Sequence, residues 1–195
     1  MKTQLVELTV STRDGQFVAR YSEKGLAELD FPLAGRASSF HSRRRGNESQ
    51  FFQSEIRNPK SEIVRDSSRR LLQMPGKIRR WHRTTTAALK AVLAGRAAKT
   101  LPPLDWSGKT EFQKSVWRAL RKIRRGQTKS YGEIARAIGK PKAVRAVGGA
   151  CGANPIPVLV PCHRVLAANG KIGGFSGGLN RKRELLVREG VKMQK

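Results

Sequence analysis

The sequence Ser130–Cys151 reads SYGEIARAIGKPKAVRAVGGAC and predicts the architecture of the second half of this 195-residue chain. Ser130 is suited to cap a short helix, and Glu133, three residues later, completes a capping box. The Gly139-Lys140-Pro141 segment predicts a turn, with Pro141 at the start of a second helix, where proline is tolerated. Two short helices joined by a tight turn indicate a helix-turn-helix, although a helical hairpin packed in a core has the same pattern.

The second predicted helix, Lys142–Cys151, consists mainly of small residues, and Arg145 is its one long basic side chain after Lys142. Few of these side chains could read the edges of bases, whereas small residues allow the backbone to approach a duplex closely. If the pair is a helix-turn-helix, we expect binding that is independent of sequence. Phosphates would supply the affinity, and Arg145 would probe the base stack.

Beyond these helices, the sequence Val158–Leu166 reads VLVPCHRVL and places Cys162 beside His163. Pro161 restricts its own backbone and favours an extended residue before it, so we expect a buried strand that ends at the cysteine. The thiolate is the reactive form of cysteine, and a neighbouring histidine can take the thiol proton directly or through a water. The positive charge of Arg164, the next residue, favours the anion. By itself, a cysteine beside a histidine is more often incidental than catalytic.

Hydrophobic patterning predicts an α+β fold in two domains. The first, residues 1–100, holds a small N-terminal antiparallel sheet plus a helix, and the second, residues 101–195, is mostly helical. The boundary lies at Thr100–Asp105, because two adjacent prolines stop a helix and stiffen a connection. A basic segment at about 35–80 lacks any apolar pattern and is predicted to be flexible; it is either an arm that touches DNA or a solvated loop.

The individual elements follow from apolar spacing. Alternation over residues 3–34 indicates the sheet, with a hairpin turn at Arg13–Gln16. Helical spacing predicts helices over Trp81–Arg96, from Thr110 to a stop at Gly126, and over residues 180–190 with Leu185 and Leu186 facing inward.

The charge of the chain is the main indication of its partner. It carries 40 Lys and Arg against 14 Asp and Glu, a net charge of +26. So large an excess indicates a polyanion, most simply nucleic acid, although a solvated basic surface or an anionic membrane would also suit it. We expect no membrane contact, because long apolar or lipid-binding amphipathic segments are missing from the sequence. The start, Met1–Glu7, has no signal-peptide character, so we expect a cytoplasmic protein.

The two cysteines, Cys151 and Cys162, do not indicate a disulfide or a zinc site. A reducing compartment disfavours structural disulfides, and no second cluster of cysteine and histidine completes a zinc pattern. We therefore expect no metal and no cofactor. Cys151 is either a core residue or a second oxidisable thiol.

A series of short motifs lies between residues 101 and 190. They are Ser130-Tyr131, Lys142–Gly148, Asn154–Pro157, Pro161–Val165, Gly177–Leu179 and Glu189-Gly190. In order and spacing this series resembles the O6-alkylguanine-DNA alkyltransferases, also called methylated-DNA–protein-cysteine methyltransferases. The resemblance implies single-turnover repair of double-stranded DNA, in which a flipped O6-alkylguanine gives its alkyl group to a cysteine.

The resemblance also implies a role for each matched residue. Cys162 is the implied alkyl acceptor, His163 its base through a bound water, and Glu189 the carboxylate that orients His163. Asn154 is the implied hinge between the recognition helix and the active-site segment. Tyr131 crowds the phosphate beside the target nucleotide and is a candidate donor to the leaving guanine. The implied guanine pocket contains Ser176, Val165 and Pro157. The other implied DNA contacts are Arg145, which replaces the flipped base, with Lys142, Ala146 and Gly148.

The chain departs from the family pattern at two positions. Phe175 stands where many relatives have tyrosine, so a hydroxyl contact to the base is absent, and Cys151 occupies a site usually held by another small or apolar residue. The expected protein is a monomer whose partner is DNA that contains O6-alkylguanine. A non-catalytic lesion sensor and a general DNA-binding protein are the alternatives.

Overall fold

The computed structural model describes residues 5–32 and 71–192, and its first element is a three-stranded antiparallel sheet. The strands are β1 (Val6–Thr12), β2 (Gly15–Tyr21) and β3 (Leu26–Asp30), in the order β1-β2-β3. Thr12 pairs with Gly15, which confirms the predicted hairpin turn. Gly15 has a φ of 110°, a conformation that glycine adopts without strain.

The rest of the described chain is mainly helical, which confirms the predicted mixture of a small sheet and helices. The helices are α1 (Gly76–Leu93), α2 (Glu111–Leu120), α3 (Tyr131–Ala137), α4 (Val144–Gly152) and α5 (Leu179–Arg188). A short parallel pair joins β4 (Lys129–Ser130) to β5 (Val165–Leu166). None of these helices in the described chain is long and apolar enough to cross a membrane.

The structure corrects the predicted ends of two helices. Helix α1 begins at Gly76 rather than at Trp81, directly after Pro75, so the last residues of the segment predicted to be flexible are helical. The same helix ends at Leu93, because Gly95 turns the chain with a φ of 69° and its amide bonds Val92 O. Helix α2 ends at Leu120, six residues before Gly126. The prediction for residues 33–70 lies outside the described residues.

The two helices of the opening motif are present, with one change. Ser130 accepts a hydrogen bond from the Glu133 amide, and the Glu133 carboxylate returns one to the Ser130 amide, so the predicted capping box is confirmed. Helix α4 begins at Val144, and Pro141 lies in the preceding turn instead of in the helix. Docking of this pair on DNA stays a prediction.

The predicted strand before Cys162 is wrong. Residues 157–160 form a tight turn in which the Val160 amide bonds Ile156 O at 2.9 Å and Val158 has a φ of 73°. A β-branched residue rarely adopts that conformation, so the surroundings must hold the turn in place. The side chain of Asn154 supplies this restraint, since it bonds both the Ile156 amide and the Val160 carbonyl.

Strand β3 joins the sheet to the second half of the chain. Leu26 exchanges backbone hydrogen bonds with Pro103 and Asp105, each 2.8 Å long, so the predicted linker is packed against the sheet. The Leu29 amide donates to Pro155 O, also at 2.8 Å. One buried core includes side chains from both halves, among them Phe17, Leu89 and Trp117. The sheet is thereby held beside the segment that carries Cys162.

Candidate active site

Cys162 begins a 3₁₀ turn, Cys162–Arg164, and is buried with 4% of its surface exposed. Asn154, just past the end of α4, donates from Nδ2 to Cys162 Sγ at 3.1 Å and to Val160 O at 2.8 Å. Its Oδ1 accepts from the Ile156 amide at 3.1 Å. One side chain therefore ties α4 to the turn and to the sulfur.

The surroundings keep the sulfur of Cys162 protonated at rest. Burial raises the pKa of the thiol, and the hydrogen bond from Asn154 and the positive charge of Lys182 oppose this only in part. A buried thiol of this kind needs a base to become a nucleophile, because the thiolate is the reactive form.

His163 is positioned to serve as that base. Its ring is fully buried, and Nε2 lies 3.1 Å from Glu189 Oε1. Burial lowers the pKa of His163, although Glu189 acts in the opposite direction, so the ring is neutral at pH 7. A neutral ring that donates from Nε2 to a carboxylate keeps a lone pair on Nδ1, and Nδ1 has no hydrogen-bond partner among the described residues.

Glu189 is ionised despite its burial. Burial raises its pKa, but hydrogen bonds from His163 and Arg164 outweigh that effect and bring the pKa to about 2. Arg164 donates from Nε to Oε2 and from Nη2 to Oε1, both at 2.8 Å. Its Nη1 bonds Ile123 O at 2.6 Å, which fixes the guanidinium at the end of α2.

Tyr131 lies between α4 and the glycine-rich loop of residues 173–178. A Cβ on Gly173 would stand 2.7 Å from the Tyr131 hydroxyl, so only glycine leaves room there. Burial raises the pKa of Tyr131, and negative charge on Cys151 or Cys162 would raise it further. The phenol is thus a protonated donor in the neighbourhood of the sulfur.

A cavity of about 380 Å³ opens beside Asn154. Two residues predicted for the base pocket, Pro157 and Ser176, line it together with Leu29 and Phe31 of the sheet side. The third, Val165, is fully buried and does not line this cavity.

The other predicted DNA contacts lie on α4 and just before it. Lys142, Arg145 and Ala146 are exposed, whereas Gly148 is half-buried, and a Cβ on it would stand 4.0 Å from the Tyr131 ring. Cys151 is buried near the end of the same helix, and burial raises the pKa of its thiol to about 12. Both cysteines are free, and no cluster of possible metal ligands exists among residues 5–32 and 71–192.

One residue of the site, Lys182, was missed in the sequence. Lys182 is fully buried, and its Nζ donates to Val165 O at 2.6 Å, to Gly173 O at 3.1 Å and to Gly174 O at 3.4 Å. It holds the glycine-rich loop against β5 and brings a positive charge near Cys162. In the sequence it is one basic residue in a basic helix, without a distinguishing signal. Arg164, whose charge was expected to favour the thiolate, pairs with Glu189.

The fold and the site define a class of mixed α/β proteins with a buried cysteine, next to a histidine that is held by a carboxylate. A family model described as "6-O-methylguanine DNA methyltransferase, DNA binding domain" matches residues 111–191. The methylated-DNA–protein-cysteine methyltransferase of Methanosarcina acetivorans is 52% identical over 108 residues, which are 55% of this chain and 69% of that protein. The chain belongs to the family of methylated-DNA–protein-cysteine methyltransferases.

Mycobacterial relatives and their structures agree with this assignment. The Mycobacterium tuberculosis protein of the same name is 54% identical over 101 residues, 52% of this chain. The matched part spans 61% of the length of that relative. A crystal structure of Mycobacterium tuberculosis OGT in complex with DNA has a TM-score of 0.62 and 35% identity, and the match covers 94% of this chain and 91% of that one.

Proposed function

We propose that this chain repairs DNA by a single transfer of an alkyl group from O6-alkylguanine to Cys162. The observation that carries the proposal is the continuous set of buried contacts from Asn154 through Cys162 to the neighbouring His163–Glu189 pair. This set provides a nucleophile, a neutral base and a carboxylate that stabilises the base once it is charged. The substrate and the partner are double-stranded DNA that contains the lesion, bound by a monomer.

In the proposed reaction, His163 takes the thiol proton at Nδ1 through a bound water, and Glu189 stabilises the imidazolium. The thiolate attacks the alkyl carbon in line with the C–O6 bond. The C–S bond forms as the C–O6 bond breaks, and the electron pair of the broken bond stays on guanine. Guanine takes up one proton, from Tyr131 or solvent, and the imidazolium returns its proton to the same pool. The alkyl group stays on the sulfur as a stable thioether, so each molecule acts once.

The alkyl group lies inside the duplex, so the nucleotide must be flipped into the protein. The cavity lined by Pro157 and Ser176 is the proposed place for the base, and its volume suits a pocket of that kind. We propose that α3 and α4 act as a helix-turn-helix. The exposed Arg145 fills the space that the base leaves, and Lys142, Ala146 and Gly148 lie against the backbone of the duplex. The net charge of +26 supplies affinity independent of sequence.

The test is the intact mass of the protein after incubation with a duplex that contains one O6-methylguanine. We expect one added methyl group, about 14 Da, on the wild type, mapped to Cys162 and absent from Cys162→Ala. Cys151→Ala is the matched control, since it removes the other buried thiol, and it should still gain the methyl group. A duplex without the lesion should add nothing.

Other outcomes separate the alternatives. Binding that prefers the lesion without any change in mass would refute alkyl transfer and leave a lesion sensor. Binding without preference for the lesion at every salt concentration would leave a general DNA-binding protein.

A further inference from the structure

Four rings form a continuous path from the centre of the N-terminal sheet to the imidazole of His163. Phe17 of β2 contacts Phe31, with ring centroids 5.7 Å apart. Phe31 meets Phe175 edge to face at 5.6 Å, and Phe175 meets His163 edge to face at 6.4 Å. Aromatic pairs prefer such tilted and edge-to-face geometries. The imidazole is therefore connected by packing to a strand that precedes it by more than 100 residues.

The loop that carries Phe175 depends on neighbours for its shape. Its sequence, residues 173–178, is GGFSGG, and glycine gives a chain great conformational freedom. A Cβ on Gly177 would lie 2.7 Å from the Phe31 ring and 2.9 Å from the Phe175 ring, so the two rings enclose this glycine. Lys182 holds the other end of the loop through the Gly173 and Gly174 carbonyls.

Phe31 is itself held from two directions. The Leu29 amide donates to Pro155 O, which fixes the end of β3 beside the segment of Asn154. The guanidinium of Arg181 lies over the Phe31 ring, with Cζ 4.6 Å from the centroid, within the range of a cation–π contact. Phe31 also lines the 380 Å³ cavity with Pro157 and Ser176.

We propose that Phe31 is a positioning and selectivity residue for the transfer reaction. Its ring keeps the loop of residues 173–178 closed, presses Phe175 against His163 and forms one wall of the cavity for the base. The inference rests on the proposed function, because it names the residue that limits the size of the O6 substituent at that site. The proposal makes Phe31, at the end of β3, part of the site.

The experiment compares Phe31→Leu with wild type in two assays. Phe31→Tyr keeps the ring and is the conservative variant, and Phe112→Leu removes a half-buried phenylalanine of α2 outside the ring path. The first assay is the single-turnover rate of transfer from O6-methylguanine and from O6-benzylguanine in the same duplex. The second is the rate at which iodoacetamide alkylates Cys162 without DNA, followed by mass mapping between pH 6 and pH 9. Melting temperatures show that each variant is folded.

Phe31→Leu should lower methyl transfer about tenfold, since small displacements of reacting groups have effects of this size or larger. The ratio of benzyl to methyl transfer should rise several-fold, because the cavity loses a wall. Alkylation of Cys162 by iodoacetamide should become faster, because a loosened loop exposes the sulfur. Phe112→Leu should match wild type in both assays, and Phe31→Tyr, which keeps the ring, should lie closer to wild type than Phe31→Leu does.

Arg181 gives a second test in case Phe31→Leu does not fold. Arg181→Met removes the cation from the ring face, should raise the alkylation rate in the same direction, and should be rescued by Arg181→Lys. Folded Phe31→Leu and Arg181→Met proteins that match wild type in both assays would overturn the inference. If wild type transfers no alkyl group, the proposed function fails. The iodoacetamide assay then still decides whether Phe31 positions the loop around Cys162.

Discussion

Asn154→Ala should lower the stability of the protein and slow alkyl transfer together. The change removes two hydrogen bonds donated by Nδ2, to Cys162 Sγ and Val160 O, and the acceptor of the buried Ile156 amide. A hydrogen bond contributes about 1 kcal/mol net, and a buried amide left without an acceptor costs about 1–3 kcal/mol. Val160 O keeps the bond from the Cys162 amide. The expected loss of unfolding free energy is therefore about 3–5 kcal/mol.

Asn169→Ala is the matched control. Asn169 Oδ1 accepts from the amide of Lys171 at 3.2 Å, the same bond over two residues as between Asn154 and Ile156, but at an exposed site. Water replaces a lost bond at such a site, so a change within about 0.5 kcal/mol is expected. Urea denaturation at pH 7, followed by tryptophan fluorescence, measures both variants. Equal losses in the two would refute the assignment of Asn154 as the residue that holds the turn and the sulfur.

Three further predictions concern the charges around the site. Glu189 has a pKa of about 2 against an ordinary 4.5, so its contribution to stability is complete above pH 4.5 and lost as the pH falls towards 2. The free energy of unfolding, measured by urea denaturation, should be lower in Glu189→Gln than in wild type by about 3 kcal/mol at pH 7 and by less at pH 3. An equal difference at both pH values would contradict this. Lys182→Met should raise the pKa of the Cys162 thiol, seen as a shift of the iodoacetamide rate profile to higher pH; an unshifted profile would rule out a charge effect. Asp14→Asn should lower the free energy of unfolding by about 1–2 kcal/mol, because the Asp14 carboxylate accepts from both terminal nitrogens of Arg188. Glu184→Gln removes the more exposed ion pair of Arg188 and should lower it by less.

The predictions that succeeded depend on local patterns. The hairpin between β1 and β2 follows from alternation around a turn that contains Gly15, and the capping box follows from Ser130 and Glu133 three residues apart. Helix α5 places Leu185 and Leu186 in the core, as its spacing indicates. Each of these features is decided within one or two turns of chain, where neighbours in sequence are also neighbours in space.

The predictions that failed depend on side-chain contacts that the pattern of residue types does not show. A strand was expected before Cys162, because Val158–Val160 is apolar and precedes a proline. The chain forms a turn there instead, since the side chain of Asn154 bonds both ends of it. Lys182 and Phe31 gave no sequence signal, because their roles arise from a loop carbonyl, a ring or a cavity that only the fold brings near them.

The sequence by itself determined the family, the adjacent pair of Cys162 and His163 and the basic character of the chain, since residue types in order are enough for these. The tertiary structure alone decided the state of the site. It buries Cys162 so that the thiol stays protonated. It also places Phe31, the residue after β3, beside Phe175. The physical reason is that pKa values and ring contacts depend on burial and distance, which a chain acquires only when it folds.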